Sequence, residues 1–177
     1  MNLYIDNHKF HYEMENLCRA FLFTEEVTAI HEFNTLEKPY ILTSVHDEVR
    51  VELCTDDVAD ALSAPLCDDN ELCMGQLLYR ILSKAYGREL PWGILTGVRP
   101  IKLFSKLAAQ MGEQEARRYF LEEFFVSEEK MKITETVRKN QLAIIDASDR
   151  RSFSLLFSGA TVLCGRKGLL CHASLLS

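Results

Sequence analysis

The sequence predicts an α+β protein in which a small N-terminal sheet layer precedes a helical region of about four helices. β-forming runs surround one amphipathic segment in the first sixty residues. Apolar residues then recur at helical spacing from about residue 69 to residue 147. Of the 177 residues, 47% are hydrophobic, which is enough to build a sizeable core.

The first sixty residues predict a β-α-β-β-β order. Strands are indicated by β-branched and aromatic runs, and the helix by apolar residues at a spacing of three to four. The predicted elements are a strand at 2–5, a helix at about 9–22, and strands at 27–33, 40–45 and 49–54. Residues 46–48 are typical of a hairpin turn between the last two strands.

Helix start and stop residues divide the following region into four helices. Asp69 or Asn70 is a suitable N-cap for the first, and Gly87 is suited to its C-terminal end. Gly112 separates the second helix from the third, and Ser127 is suited to cap the fourth. The predicted spans are about 69–86, 100–111, 113–125 and 127–147.

Three regions follow from these patterns. We predict a sheet subdomain at 1–60, a helical subdomain at 61–149 and an atypical tail at 150–177. All 26 acidic residues lie before residue 150, whereas leucines crowd the tail without clear periodicity. Apolar residues between Leu155 and Leu163 are therefore expected to be exposed and prone to aggregation.

The composition of the chain argues against several classes of protein. The net charge of −6 argues against a general nucleic-acid binder, which usually carries a basic face. The N-terminus lacks the basic and apolar regions of a secretory signal, and no apolar run reaches the length of a membrane span. We therefore expect a cytoplasmic protein without nucleic-acid or membrane partners.

The cysteines and histidines do not form a recognisable site in the sequence. Six cysteines are irregularly spaced, so buried or idle thiols are expected rather than a secreted disulfide framework. Cys164, Cys171 and His172 lie close together in the tail, but they lack a fourth ligand and a known metal-site spacing. No histidine has a partner at diagnostic spacing, so we expect no metal and no catalytic residue here.

The segment at 91–102 is the most specific feature of the chain. Its sequence is Pro-Trp-Gly-Ile-Leu-Thr-Gly-Val-Arg-Pro-Ile-Lys. Pro91 and Pro100 restrict the backbone, whereas Gly93 and Gly97 permit positive φ or a close approach. Trp92, the single tryptophan, is expected to anchor the loop in the core rather than to stack on a ligand. We interpret the segment as a shaped loop that leads into the helix beginning at Pro100.

This segment resembles the region ahead of the catalytic barrel in HemZ-type oxygen-independent coproporphyrinogen III oxidases. These are coproporphyrinogen dehydrogenases of the radical S-adenosylmethionine superfamily, and the resemblance covers about residues 1–155. It implies oxidative decarboxylation of coproporphyrinogen III to protoporphyrinogen IX in haem synthesis. In the intact family, a [4Fe–4S] cluster and S-adenosylmethionine perform the radical chemistry.

The family's cluster loop, Cys-x-x-x-Cys-x-x-Cys, would follow Leu155, and this sequence lacks it. The radical S-adenosylmethionine barrel would be the partner of this region in an intact parent protein. We therefore expect no cofactor on this chain and no catalysis by it alone. A frame disruption or an artificial end near residues 156–158 would explain both the missing loop and the loss of acidic residues.

Arg99, Lys102 and Lys106 share one face at the start of the helix at 100–111. The resemblance implies a substrate with four carboxylates, so these cations are candidate substrate-binding residues. A solvated helix face, with Arg99 bonded to loop carbonyls, is the simpler interpretation. For the whole chain, the alternative function is a stand-alone protein-interaction module. A porphyrin carrier is a third hypothesis, supported only by the three cations.

Overall fold

The computed structural model describes residues 1–97, 99–149, 155–157 and 160–162. The chain divides into two compact units, residues 1–137 and residues 138–177. The first unit has the predicted α+β architecture, with a sheet and one helix followed by further helices. The second contains the end of the last helix and a two-stranded antiparallel hairpin. The predicted division at residue 60 stays a prediction.

The elements of the sheet layer are β1 (Asn2–Asp6), α1 (His11–Phe21), β2 (Thr28–Ile30), β3 (Tyr40–Val45), β4 (Glu48–Cys54) and β5 (Ala59–Pro65). The strand order is β2-β1-β3-β4-β5. β1 pairs in parallel with both β2 and β3, because α1 and a long connection return the chain in the same direction. The remaining pairs are antiparallel hairpins.

β5 is the element of the sheet layer that the sequence did not reveal. Its residues alternate between exposed and half-buried, and each of its seven residues pairs with β4 from Glu48↔Pro65 to Cys54↔Ala59. Asp56, Asp57 and Asp60 are residue types more typical of solvated surface than of a strand. The strand forms because β4 offers a complete edge for pairing.

The helices that follow are α2 (Asn70–Tyr86), α3 (Pro100–Met111), α4 (Glu113–Glu122) and α5 (Glu128–Asp149). α4 ends three residues earlier than predicted, because the backbone turns at Phe125, whose φ is +56°. β6 (Leu155–Phe157) and β7 (Ala160–Val162) form the hairpin of the second unit. No helix in the described ranges is both long and apolar enough to cross a membrane.

Two hydrophobic cores lie within the first unit. The larger joins the inner face of the sheet to α1 and α2, with Leu3, Leu17 and Leu78 almost fully buried. The smaller joins α3, α4 and the start of α5 around Phe104 and Phe120. The two phenylalanine rings meet edge to face with centroids 5.3 Å apart. The segment at 91–95 supplies residues to both cores, since Ile94 packs on the larger and Trp92 on the smaller.

Candidate functional site

The segment singled out in the sequence begins where α2 ends. Gly87 closes α2 in the left-handed conformation, with φ +61°, as expected of a helix-ending glycine. The Leu90 N–H then donates to the hydroxyl of Tyr79, at 3.2 Å. This bond directs the chain back across α2 towards the connection between α4 and α5.

The first half of the segment is fixed to that connection by backbone hydrogen bonds. The Ile94 N–H donates to the Phe124 carbonyl at 3.0 Å, and the Ser127 N–H donates to the Pro91 carbonyl at 3.0 Å. Gly93 is buried between these bonds with φ +56°. A Cβ atom there would lie 1.8 Å from the Phe124 carbonyl oxygen, so only glycine fits.

Trp92 lies half-buried against the smaller core. The ammonium of Lys130 stands 5.8 Å from the centre of its ring, within the range of a cation–π contact. Trp92 thus contributes packing area and holds the segment beside α5. This placement is that of a structural anchor.

The second half of the segment is open to solvent. Gly97 has φ +70° and is exposed, with nothing within 4 Å of the position of a Cβ atom. Arg99 precedes α3 in an extended conformation and provides no side-chain cap, and Pro100 occupies the first turn. Val98 lies outside the described residues. Packing therefore explains the residue types of the first half but not those of the second.

Arg99, Lys102 and Lys106 form an exposed row at the start of α3, which we call the basic strip. Their side chains make no hydrogen bond or ion pair with any residue in the described ranges. Some other cations on the helices are paired with carboxylates; the Arg117 guanidinium, for example, contacts Glu135 at 3.1 Å. The expected bonds from Arg99 to loop carbonyls are not seen within those ranges. The basic strip is thus an uncompensated positive surface on an acidic chain.

A groove of about 240 Å³ lies beside the segment. Residues of α1, of the start of α2, of the segment and of α3 line it together with Phe124. The apolar walls include Met14, Ile94 and Leu103, and the carboxylates are those of Glu13, Asp69 and Glu71. We call this the acidic groove.

The electrostatics of the acidic groove disfavour an anionic ligand. Burial, followed by the nearby charges of Glu13 and Asp69, raises the pKa of Glu71 above its ordinary value. The groove therefore suits an apolar or cationic group, and none of the basic strip lines it. Sequence reasoning missed this groove because its carboxylates come from positions nearly sixty residues apart, and only the packing of α1 beside α2 joins them.

Within the described residues, no group of three or more histidine, cysteine, aspartate or glutamate side chains is placed to hold a metal ion. Cys164, Cys171 and His172 lie outside the residues that the structure describes. Cys18 is fully buried, and burial raises the pKa of its thiol to about 12, so it remains protonated and inert.

Comparisons of this chain with protein-family models, with curated proteins and with solved structures found no match.

Proposed function

We propose that this chain is the N-terminal accessory region of a HemZ-like coproporphyrinogen III dehydrogenase. The observation that carries the proposal is the segment at 91–102, whose tryptophan, glycines and prolines match the family's pattern in order. The α+β architecture ahead of and around this segment is compatible with a region that precedes a catalytic barrel. The role in haem synthesis follows from the resemblance alone.

The basic strip is the part of this chain that would bind the substrate. Coproporphyrinogen III carries four carboxylates, and arginine and lysine are the side chains that bind carboxylates best. Arg99, Lys102 and Lys106 would contact these propionates and orient the macrocycle towards the rest of the parent protein. Their lack of acidic partners in the described ranges supports this role, because paired cations would first have to be released.

The cluster chemistry is assigned to no residue of this chain. Three thiolates in a Cys-x-x-x-Cys-x-x-Cys loop would hold three irons and leave the fourth for S-adenosylmethionine. The sequence contains no such loop, so its cysteines do not fit the cluster. We derive no catalytic step for this chain.

Binding of coproporphyrin III, the stable oxidised form of the tetracarboxylate, tests the basic strip. Trp92 is the single tryptophan and is close in sequence to the strip, so its fluorescence reports binding. We expect Arg99→Glu and Lys102→Glu each to weaken binding by about tenfold or more, as loss of a charge-assisted contact implies. Lys132→Glu on α5 makes the same charge change at an exposed position outside the strip and is the matched control. If the wild type and the three variants bind coproporphyrin III with equal affinity, the basic strip does not bind the substrate.

The coding DNA tests the family assignment independently. We expect one of the other two reading frames beyond codon 155 to encode a Cys-x-x-x-Cys-x-x-Cys loop. A chain that continues in that frame should acquire a brown iron–sulfur cluster when reconstituted anaerobically with iron and sulfide, whereas the present chain should stay colourless. If neither frame encodes the three cysteines, the family assignment fails.

The acidic groove favours a second candidate function, a protein-interaction module. Its apolar walls and three carboxylates suit a basic amphipathic segment of another protein. Glu13→Lys would weaken such an interaction without altering the basic strip. Coproporphyrin binding unaffected by Glu13→Lys but lost in Arg99→Glu would favour the first function over this one.

A further inference from the structure

Another groove lies at the C-terminal end of α2 and has cationic side chains in its wall. Its volume is about 680 Å³, which is within the size range of small-molecule sites. The polar and charged side chains that line it are those of Arg80, Ser83, Lys84, Arg88 and Glu89. We call it the arginine groove. It shares no lining residue with the acidic groove and includes no residue of the basic strip.

The two arginines of this groove have no acidic partner. Neither Arg80 nor Arg88 forms an ion pair with a residue in the described ranges. The Lys84 ammonium, in contrast, contacts Asp60 Oδ2 at 2.7 Å. Glu89 is exposed and is the one carboxylate among the described residues that line the groove. The groove therefore has an excess of positive charge, although the chain as a whole has a net charge of −6.

Aromatic rings and a backbone carbonyl restrict the positions of the two guanidinium groups. Arg80 Cζ lies 5.5 Å from the centre of the Phe125 ring. Arg88 Cζ lies 4.8 Å from the centre of the Phe23 ring, and Arg88 Nη2 donates to the Ala20 carbonyl at 2.9 Å. These contacts hold the side chains without cancelling their charge. Binding of an anion between them would therefore cost little side-chain entropy.

Two buried polar atoms in the lining residues have no hydrogen-bond partner in the described structure. They are Ser83 Oγ and Arg88 Nε. Buried polar groups in proteins are hydrogen-bonded in the great majority of cases, so two such atoms at one groove require an explanation. A ligand with several acceptor oxygens would supply both partners, after the small side-chain rotations that are common at binding sites.

We propose that the arginine groove binds the phosphate group of a small-molecule phosphate monoester. Such a group carries three terminal oxygens and close to two negative charges, which match two guanidinium groups and a hydroxyl donor. A carboxylate has two oxygens and one charge, so it would satisfy fewer of these donors. The site is independent of the proposed role in haem synthesis, because it uses no residue of the basic strip.

NMR spectra of the ¹⁵N-labelled full-length chain test the site directly. Glycerol 3-phosphate replaces sodium chloride at constant pH and ionic strength, and the Nε–H signals of Arg80 and Arg88 are followed. We expect both signals and the Ser83 amide signal to move along one saturable curve. Sodium acetate should bind more weakly, by about fivefold or more. The proposal is overturned if the Arg88 signal shows no saturable shift, or if acetate binds as tightly as the phosphate.

Three substitutions at exposed positions distinguish this site from general attraction by positive charge. Arg80→Gln should weaken glycerol 3-phosphate binding by about tenfold or more. Glu89→Gln should tighten it by about threefold, because it removes the carboxylate from the lining. Arg99→Gln makes the same charge change in the basic strip and should leave the shift of the Arg88 signal as in the wild type. Equal effects of Arg80→Gln and Arg99→Gln, or no tightening by Glu89→Gln, would overturn the site.

A phosphorylated residue of another protein carries the same phosphate group. A phosphoserine peptide with uncharged flanking residues and blocked ends is therefore titrated under the same conditions. We expect it to bind no more tightly than glycerol 3-phosphate, because the donors of the groove are directed at the phosphate group alone. Tighter binding of the peptide would overturn the assignment of a small-molecule ligand.

Discussion

Gly93 lies against the backbone of Phe124, and a Cβ atom on Gly93 would stand only 1.8 Å from the Phe124 carbonyl oxygen. The same oxygen accepts the hydrogen bond from the Ile94 N–H. The loop after α2 and the turn after α4 are thus in direct backbone contact. This contact explains why the segment at 91–102 needs a glycine in its first half.

Gly93→Ala is expected to destabilise the protein by about 3 kcal/mol or more, because both a steric clash with backbone and a positive φ oppose the side chain. Chemical denaturation gives the free energy of unfolding. Gly97→Ala is the matched control, since Gly97 has a similar φ of +70° but open space around it. Only the backbone cost of about 1 kcal/mol is expected there. Equal losses for the two variants would contradict the close contact.

Phe104→Ala is expected to lower the free energy of unfolding by about 3–5 kcal/mol, because it leaves a cavity in the smaller core beside Phe120. Met111→Ala on the same helix should cost less than about 1 kcal/mol, since Met111 is 39% exposed. Thermal and urea unfolding compare the two. Similar effects would mean that α3 does not bury Phe104 as described.

Asp69→Ala is expected to cost about 1 kcal/mol, because Asp69 Oδ1 accepts the hydrogen bond from the Leu72 N–H and caps α2. The neighbouring Asp68→Ala removes an equal charge from an exposed residue that makes no such bond in the described structure. Its effect should stay within about 0.5 kcal/mol. Urea denaturation measures the free energy of unfolding of both variants. A larger loss of stability for Asp68→Ala than for Asp69→Ala would show that Asp69 is not the residue that caps α2.

The burial of His8 is expected to lower the free energy of unfolding in mild acid. Burial lowers its pKa below the ordinary 6.5, an effect that outweighs the hydrogen bond to Thr43 and the charge of Asp6. His11 and His31 oppose its protonation as well. Because the unfolded chain binds the proton more readily, stability is full above about pH 6.5 and falls as the pH drops below it.

An NMR titration of the imidazole measures the pKa of His8 in the folded state directly. His8→Gln should flatten the pH dependence of the free energy of unfolding between about pH 7 and pH 5. A folded-state pKa at or above 6.5, or an unchanged slope in the variant, would contradict the prediction.

Much of the fold could be predicted because local signals and tertiary packing agree. The N-cap at Asp69, the end of α2 at Gly87 and the start of α3 at Pro100 lie where the sequence indicated. β5 could not be predicted, because its small residues have weak β propensity and acquire their pairing from β4. The end of α4 was displaced for a similar reason, since the turn at Phe125 is formed against Gly93.

Only one part of the candidate site, the basic strip, could be predicted from the sequence. Helical spacing alone placed Arg99, Lys102 and Lys106 on one face. It did not reveal that they lack acidic partners in the described ranges, which depends on the positions of distant side chains. Nor could it reveal the acidic groove, which Glu13 and Glu71 line from two different helices.

The sequence by itself determined the α+β class, the two ends of α2, the start of α3 and the exposed face that carries the basic strip, because these depend on neighbours within a few residues. The tertiary structure decided that Gly93 is required by the Phe124 backbone and that β5 joins the sheet. Each of these depends on the path of the backbone, which packing and hydrogen bonds fix and which residue types and their spacing do not reveal.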